Sequence, residues 1–185
     1  MGGIEGRARA LREQAGELVP PYNVRAIVHR VDARVVIRPD RLPPGVQGLL
    51  VIREPDPPHI LVDDQLGTPM QNWVIGHELS HLLDSLEGPA PPRELDGRVI
   101  TRTWASRENI YGDRHADDVA ADLTADALLV PLEDLEARTN IRKPLPILFS
   151  LGEVDRLADV FQVPRGVIVR RLVSAMRKRW FHVEP

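Results

Sequence analysis

Apolar positions Ala8, Leu11 and Ala15 recur at helical spacing and predict a helix from Gly6 to Glu17, which Pro20-Pro21 ends. Val24, Ile27, Val28 and Val31 then share one side of a short helix expected over Asn23 to Val31. The pattern changes after that. Ala33 to Ile37, Val46 to Ile52 and His59 to Val62 are short, β-branched runs, separated by Pro43-Pro44-Gly45 and by the Pro-Asp-Pro-Pro of 55–58, and they predict three strands. Gly67-Thr68-Pro69 introduces a strong helix over about Met70 to Leu86, with Thr68 as N-cap and Pro69 at the first helical position. Residues 87–114 form a long connection containing Pro89, Pro91, Pro92 and a strand-like stretch, Val99 to Trp104; its length suits a lid, a binding loop or a flexible insertion. A further helix is expected over about Asp113 to Val130, stopped by Pro131, and 132–185 reads as mostly helical.

These elements predict an α+β fold, with a small, mostly antiparallel three-stranded sheet packed on helices. Residues 1–131 form the main domain, and 132–185 a helical extension packed on it. The chain has 185 residues, enough for one domain with a substantial core. Its 24 basic and 27 acidic residues leave a net charge of -3, which argues against a whole-protein nucleic-acid binder. It has no cysteine, so disulfides and thiolate metal ligands are excluded. No run approaches the roughly 18 apolar residues of a membrane span, and no signal-peptide core is evident, so a soluble cytoplasmic protein is expected. Ile4-Glu5-Gly6-Arg7 matches a protease-cleavable linker sequence and is given no functional weight.

The candidate chemistry lies in His77-Glu78-Leu79-Ser80-His81, an HExxH pattern. Residues four apart project from one side of a helix, so two imidazoles can converge on one Zn²⁺ at about 2.0–2.1 Å. Glu78, expected at the cleft edge, can accept a proton from a water there. At 100° per residue His81 falls about 40° from His77, while Ile75, Leu79, Leu82, Leu83 and Leu86 cluster between about 140° and 240°. The histidine edge is thus separate from the leucine stripe. Two surface histidines on an ordinary amphipathic helix share that layout, so a third ligand decides between the readings.

The helix expected over 113–130 offers one. Its apolar arc takes in Val119, Ala121, Leu123, Ala125, Leu128, Leu129 and Val130, and Asp118, Asp122 and Asp126 lie inside that arc. Carboxylates on an apolar face are costly unless paired or metal-bound. Asp118 is the candidate third ligand, and Asp122, one turn on, the candidate holder of a ligand histidine by its other ring nitrogen. The competing reading pairs these aspartates with arginines from elsewhere. His115 is a rival ligand, a transition-state donor or an exposed cap residue.

At this point the chain resembles the ImmA/IrrE-type metallopeptidases. The likeness runs from Ile60-Leu61-Val62-Asp63 into Trp73-Val74-Ile75-Gly76-His77-Glu78-Leu79-Ser80-His81-Leu82-Leu83. It continues through Asp118-Val119-Ala120-Ala121-Asp122 and Ala127-Leu128-Leu129-Val130-Pro131. It ends with Leu157-Ala158-Asp159-Val160-Phe161-Gln162-Val163-Pro164 before Arg170-Arg171-Leu172. Aspartate stands at 118 where the family usually carries glutamate, which requires a closer approach of the two helices, and Thr124 replaces a family phenylalanine. The resemblance implies a zincin-like fold with one zinc ion. It also implies limited proteolysis in the cytoplasm, acting on helix-turn-helix transcriptional repressors in mobile-element or stress responses.

Expectations about partners follow. The strand at 46–52 or 59–62 can pair with an extended substrate wherever its edge is free. Val154 to Phe161, Gln162-Val163-Pro164 and Gly166 to Val173 also read as helix, turn, helix. From Phe161 to His182 there are six cations (Arg165, Arg170, Arg171, Arg177, Lys178 and Arg179) and no acid, which suits phosphate or an acidic partner. A DNA-binding regulator is therefore one alternative, and a zinc-stabilised protein that binds a repressor without cleaving it is another.

Overall fold

The computed structural model describes residues 3–53, 55–87, 100–103, 116–139 and 150–180. Helices α1 (Ile4–Ala15) and α2 (Val24–Val31) open the chain. Gly16, at φ 74°, ends α1 by returning its N–H to the Arg12 and Glu13 carbonyls, a left-handed cap that stops the helix before the expected Glu17. Asn23 caps α2 by accepting from the Ala26 N–H at 3.2 Å.

Strands β1 (Val36–Asp40), β2 (Gly48–Ile52), β3 (His59–Asp63) and β4 (Ile100–Thr103) form one sheet in the order β1-β3-β2-β4. The fold class is α+β, as expected, but the sheet has four strands and is mixed. β1 runs parallel to β3, whereas β2 is antiparallel to both β3 and β4. β1 begins later than Ala33 because Asp32 and Arg34 form a turn, with the Arg34 N–H donating to Asp32 Oδ1 at 2.9 Å. β3 is interior, and Ile60, Leu61 and Val62 are all buried, the pattern of a strand covered on both faces. The free edges among the described strands are β1 and β4, so neither β2 nor β3 can take up a substrate strand.

α3 (Thr68–Glu87) packs against β2 and β3 on one side and α4 (Ala116–Leu129) on the other. The Met70 and Gln71 N–H groups bond to the Gly67 carbonyl, so the helix starts earlier than the expected Met70, with Thr68 within it. Ile75, Leu79, Leu82 and Leu83 are buried as the leucine stripe predicts, but Leu86 is exposed. Helices α5 (Leu132–Arg138), α6 (Leu151–Phe161) and α7 (Arg165–Trp180) complete the chain. The buried core is continuous from Ala8 in α1 to Ala175 in α7. No helix among the described residues is long and apolar enough to cross a membrane.

The carboxyl end of α4 is held by arginines. Arg12 of α1, itself buried, donates to the Ala127 carbonyl at 2.7 Å and the Leu128 carbonyl at 3.2 Å. Arg171 of α7 donates to the Val130 carbonyl at 2.7 Å and to Glu5 at 2.6 and 3.0 Å. Cations placed there satisfy orphan carbonyls and oppose the negative end of the helix dipole. Residues 4–7 are accordingly part of α1, and Glu5 has a structural partner.

Candidate metal centre

The packing of α3 on α4 brings both halves of the candidate site together. His77 and His81 are buried, 1% and 2% exposed, which removes the surface-histidine reading. Their Nε2 atoms lie 3.1 Å apart, and His81 Nε2 is 3.5 Å from Asp118 Oδ1 on α4. The three residues offer ligand atoms that all lie within 4.8 Å of one another. Donors around a tetrahedral ion, with bonds of about 2.0–2.1 Å, stand roughly 3.3 Å apart, close to the 3.1 and 3.5 Å separations here, so the group could hold a metal ion. Two imidazoles and one carboxylate also make a borderline nitrogen–oxygen set that suits zinc better than magnesium or calcium.

Asp122 lies where the stripe places it. Its Oδ1 is 2.9 Å from His77 Nδ1, which directs His77 Nε2, with its lone pair, toward the cluster. Asp126 follows the competing reading. It accepts from Trp73 Nε1 at 2.8 Å and from Arg170 of α7 at 2.7 and 2.8 Å, a bidentate guanidinium pair. His115 lies outside the described residues, as does most of 87–114, of which only β4 is described beyond α3.

No protein-family model and no curated protein matches the chain.

Glu78 departs from expectation in its surroundings. It is fully buried under β2, not at a cleft edge, and neither carboxylate oxygen has a hydrogen-bond partner of good geometry. Burial, then the charge of Asp118, push its pKa up to about 8, while the Leu50 backbone pulls weakly the other way. A buried, unpartnered acid beside two buried imidazoles costs stability and is a marker of a functional site.

Two glycines that the sequence reading passed over make this arrangement fit. A Cβ on Gly48 of β2 would lie 2.4 Å from Val74 Cγ1 and 2.8 Å from Glu78 Oε1, so only glycine leaves room for the carboxylate. A Cβ on Gly76 of α3 would meet Ala125 Cβ at 3.3 Å and its Cα at 3.5 Å. Gly76 and Ala125 thus form the close crossing of α3 and α4 that the short side chain of Asp118 requires. A glycine inside a helix costs about 1 kcal/mol relative to alanine, and that cost is the one sequence signal that could have flagged Gly76.

The apolar arc expected on α4 is shifted. Val119 and Leu123 are 41% and 43% exposed, while Asp122, Thr124 and Asp126 are buried. Polar groups with partners turn inward, and Thr124 satisfies its hydroxyl on the Ala120 carbonyl at 2.8 Å.

Proposed function

We propose that the chain is a zinc-dependent endopeptidase. The observation that carries the reading is Glu78, buried and unpartnered, beside the His77, His81 and Asp118 donor set. A structural metal site has no use for an acid in that position. A zinc ion held by these three residues supplies Lewis-acid polarisation of a carbonyl and a water of pKa lowered to about 7.

The chain's own groups perform the proton transfers. With the cation's charge opposing the burial that raises its pKa in the metal-free protein, a Glu78 carboxylate oxygen takes the proton of the attacking water and returns it to the departing amine nitrogen. Asp122 keeps His77 in the tautomer and orientation that ligation needs. An extended peptide would add along β4, the edge strand beside β2 among the described residues.

The substrate class follows the resemblance to ImmA/IrrE-type peptidases: a cytoplasmic helix-turn-helix repressor, cut at a limited number of bonds. The zincin-like description of the fold belongs to the same proposal. The rival DNA-binding reading is weakened by its own cations. Arg165 pairs with Asp155, Arg170 with Asp126 and Arg171 with Glu5, which leaves those three engaged within the protein. Arg170 and Arg171 thereby tie α7 to α4 and α1, while Arg165 stays at the surface.

Incubating the zinc-loaded protein with the repressor encoded nearest its gene tests the reading. Discrete fragments are expected, and none from Glu78→Gln, which retains zinc. Cleavage by that variant, or an intact repressor bound to the zinc-loaded protein, would overturn the peptidase reading.

A further inference from the structure

We propose that Arg170, on the C-terminal helix α7, is a positioning residue of the metal centre, acting on His77 through Asp126 and Trp73. The inference rests on the metal-binding reading above and adds to it a dependence on α7.

Trp73 lies one helical turn before His77 on α3, and the two rings face each other at 5.7 Å between centroids, tilted by 44°. The indole therefore bounds one side of the imidazole, while Asp122 holds its Nδ1. What fixes the indole is Asp126. Its Oδ1 accepts from Trp73 Nε1 and from an Arg170 NH2 group, both at 2.8 Å, and its Oδ2 accepts from Arg170 Nε at 2.7 Å. The guanidinium also lies 5.5 Å from the centre of the Trp73 ring. Asp126 is buried, so its charge needs the two-armed partner, and Arg170 is that partner. The turn before α7 is tied to the same stretch of α3, since Asn72 Nδ2 donates to the Gln162 carbonyl at 3.2 Å. Residues 72, 73 and 77 of the histidine helix are in this way referenced to the α6–α7 pair.

The next residue on the helix provides an internal control. Arg171 instead docks α7 on Val130 and Glu5. If α7 mattered only for general stability, losing either arginine would have the same consequence for zinc.

Zinc affinity is measured by competition with a chromophoric chelator on the full chain and on Arg170→Met, Arg170→Lys and Arg171→Met, alongside thermal melts and the ring nitrogen resonances of His77. Both methionine variants are expected to melt earlier. Only Arg170→Met should weaken zinc binding, on the order of 5–20-fold, and shift the His77 signals, with partial recovery in Arg170→Lys. If Arg170→Met does not fold, Asp126→Asn carries the same expectation with the shape preserved. Equal zinc affinity in wild type, Arg170→Met and Arg171→Met overturns the positioning role while leaving the metal site standing. Absence of zinc binding by the unaltered chain overturns the metal reading, and this inference with it.

Discussion

Asp126 and Asp122 are one turn apart on α4, both buried and both facing α3, but their partners differ in kind. Asp126 meets an indole N–H and two arms of a guanidinium, so both of its oxygens are engaged and the charge is balanced. Asp122 meets the Nδ1 of a histidine whose other nitrogen points at a second histidine. Asp118, a turn earlier again, reaches only to within 3.5 Å of His81 Nε2. Toward its carboxyl end the helix is a closed structural joint, completed by Arg12 and Arg171 on its last carbonyls. Toward its amino end it presents the Asp118 carboxylate, which together with His77 and His81 could hold a metal ion. The same residue type at the same spacing takes opposite roles because α7 covers one end of the stripe and the histidines cover the other.

The largest effect is expected on α3, beside the histidines that face the amino end of α4. Glu78→Gln should lower cleavage by about 10²–10⁴-fold with one zinc retained per chain, as read from fragment formation and metal analysis. Asp122→Ala and Asp126→Ala should then separate. The first should weaken zinc binding about 10–100-fold with a small change in the melting of the metal-free protein. The second strands the buried Trp73 N–H, while the half-exposed Arg170 can turn to water, so it should cost about 1–3 kcal/mol in denaturant melts, beside the weaker zinc binding expected from the loss of the Arg170 link. Equal losses of stability in the two metal-free variants would erase the distinction.

The acid itself provides a third measure. Glu78 keeps its proton to about 8 when folded, against an ordinary value of 4.5. Between those values the folded state holds more protons than the unfolded one, so stability of the metal-free protein should fall as pH rises, by about 1 kcal/mol per pH unit from this group. Glu78→Gln should flatten that slope between pH 5 and about 8, as measured by melts in chelator. The smallest expected effect is at the helix crossing. Gly76→Ala gains about 1 kcal/mol of helix propensity but pushes on Ala125, so stability should change little while zinc affinity falls several-fold.

The comparison also marks how far the sequence could be read. The HExxH helix and its leucine stripe were legible because their information is local, spaced within a few residues. So was the acidic stripe as a stripe, and the placement of Asp118 and Asp122 beside the histidines. The assignment of Asp126 was not, because its partner Arg170 lies 44 residues away and comes from a helix whose docking no periodicity specifies. The parallel pairing of β1 with β3 was equally invisible, since a strand's pattern reveals its faces and not its neighbour. Val119 and Leu123 were misplaced for a related reason. Apolar spacing locates a buried face only when apolar groups fill it, and on α4 paired aspartates fill it instead.

Zinc K-edge absorption spectroscopy on the loaded protein reads the ligand set itself. One ion per chain is expected, with two imidazole nitrogens and oxygen donors at about 2.0–2.1 Å, and loss of one oxygen contribution in Asp118→Ala. A zinc shell without imidazole, or one unchanged in Asp118→Ala, would contradict that ligand set.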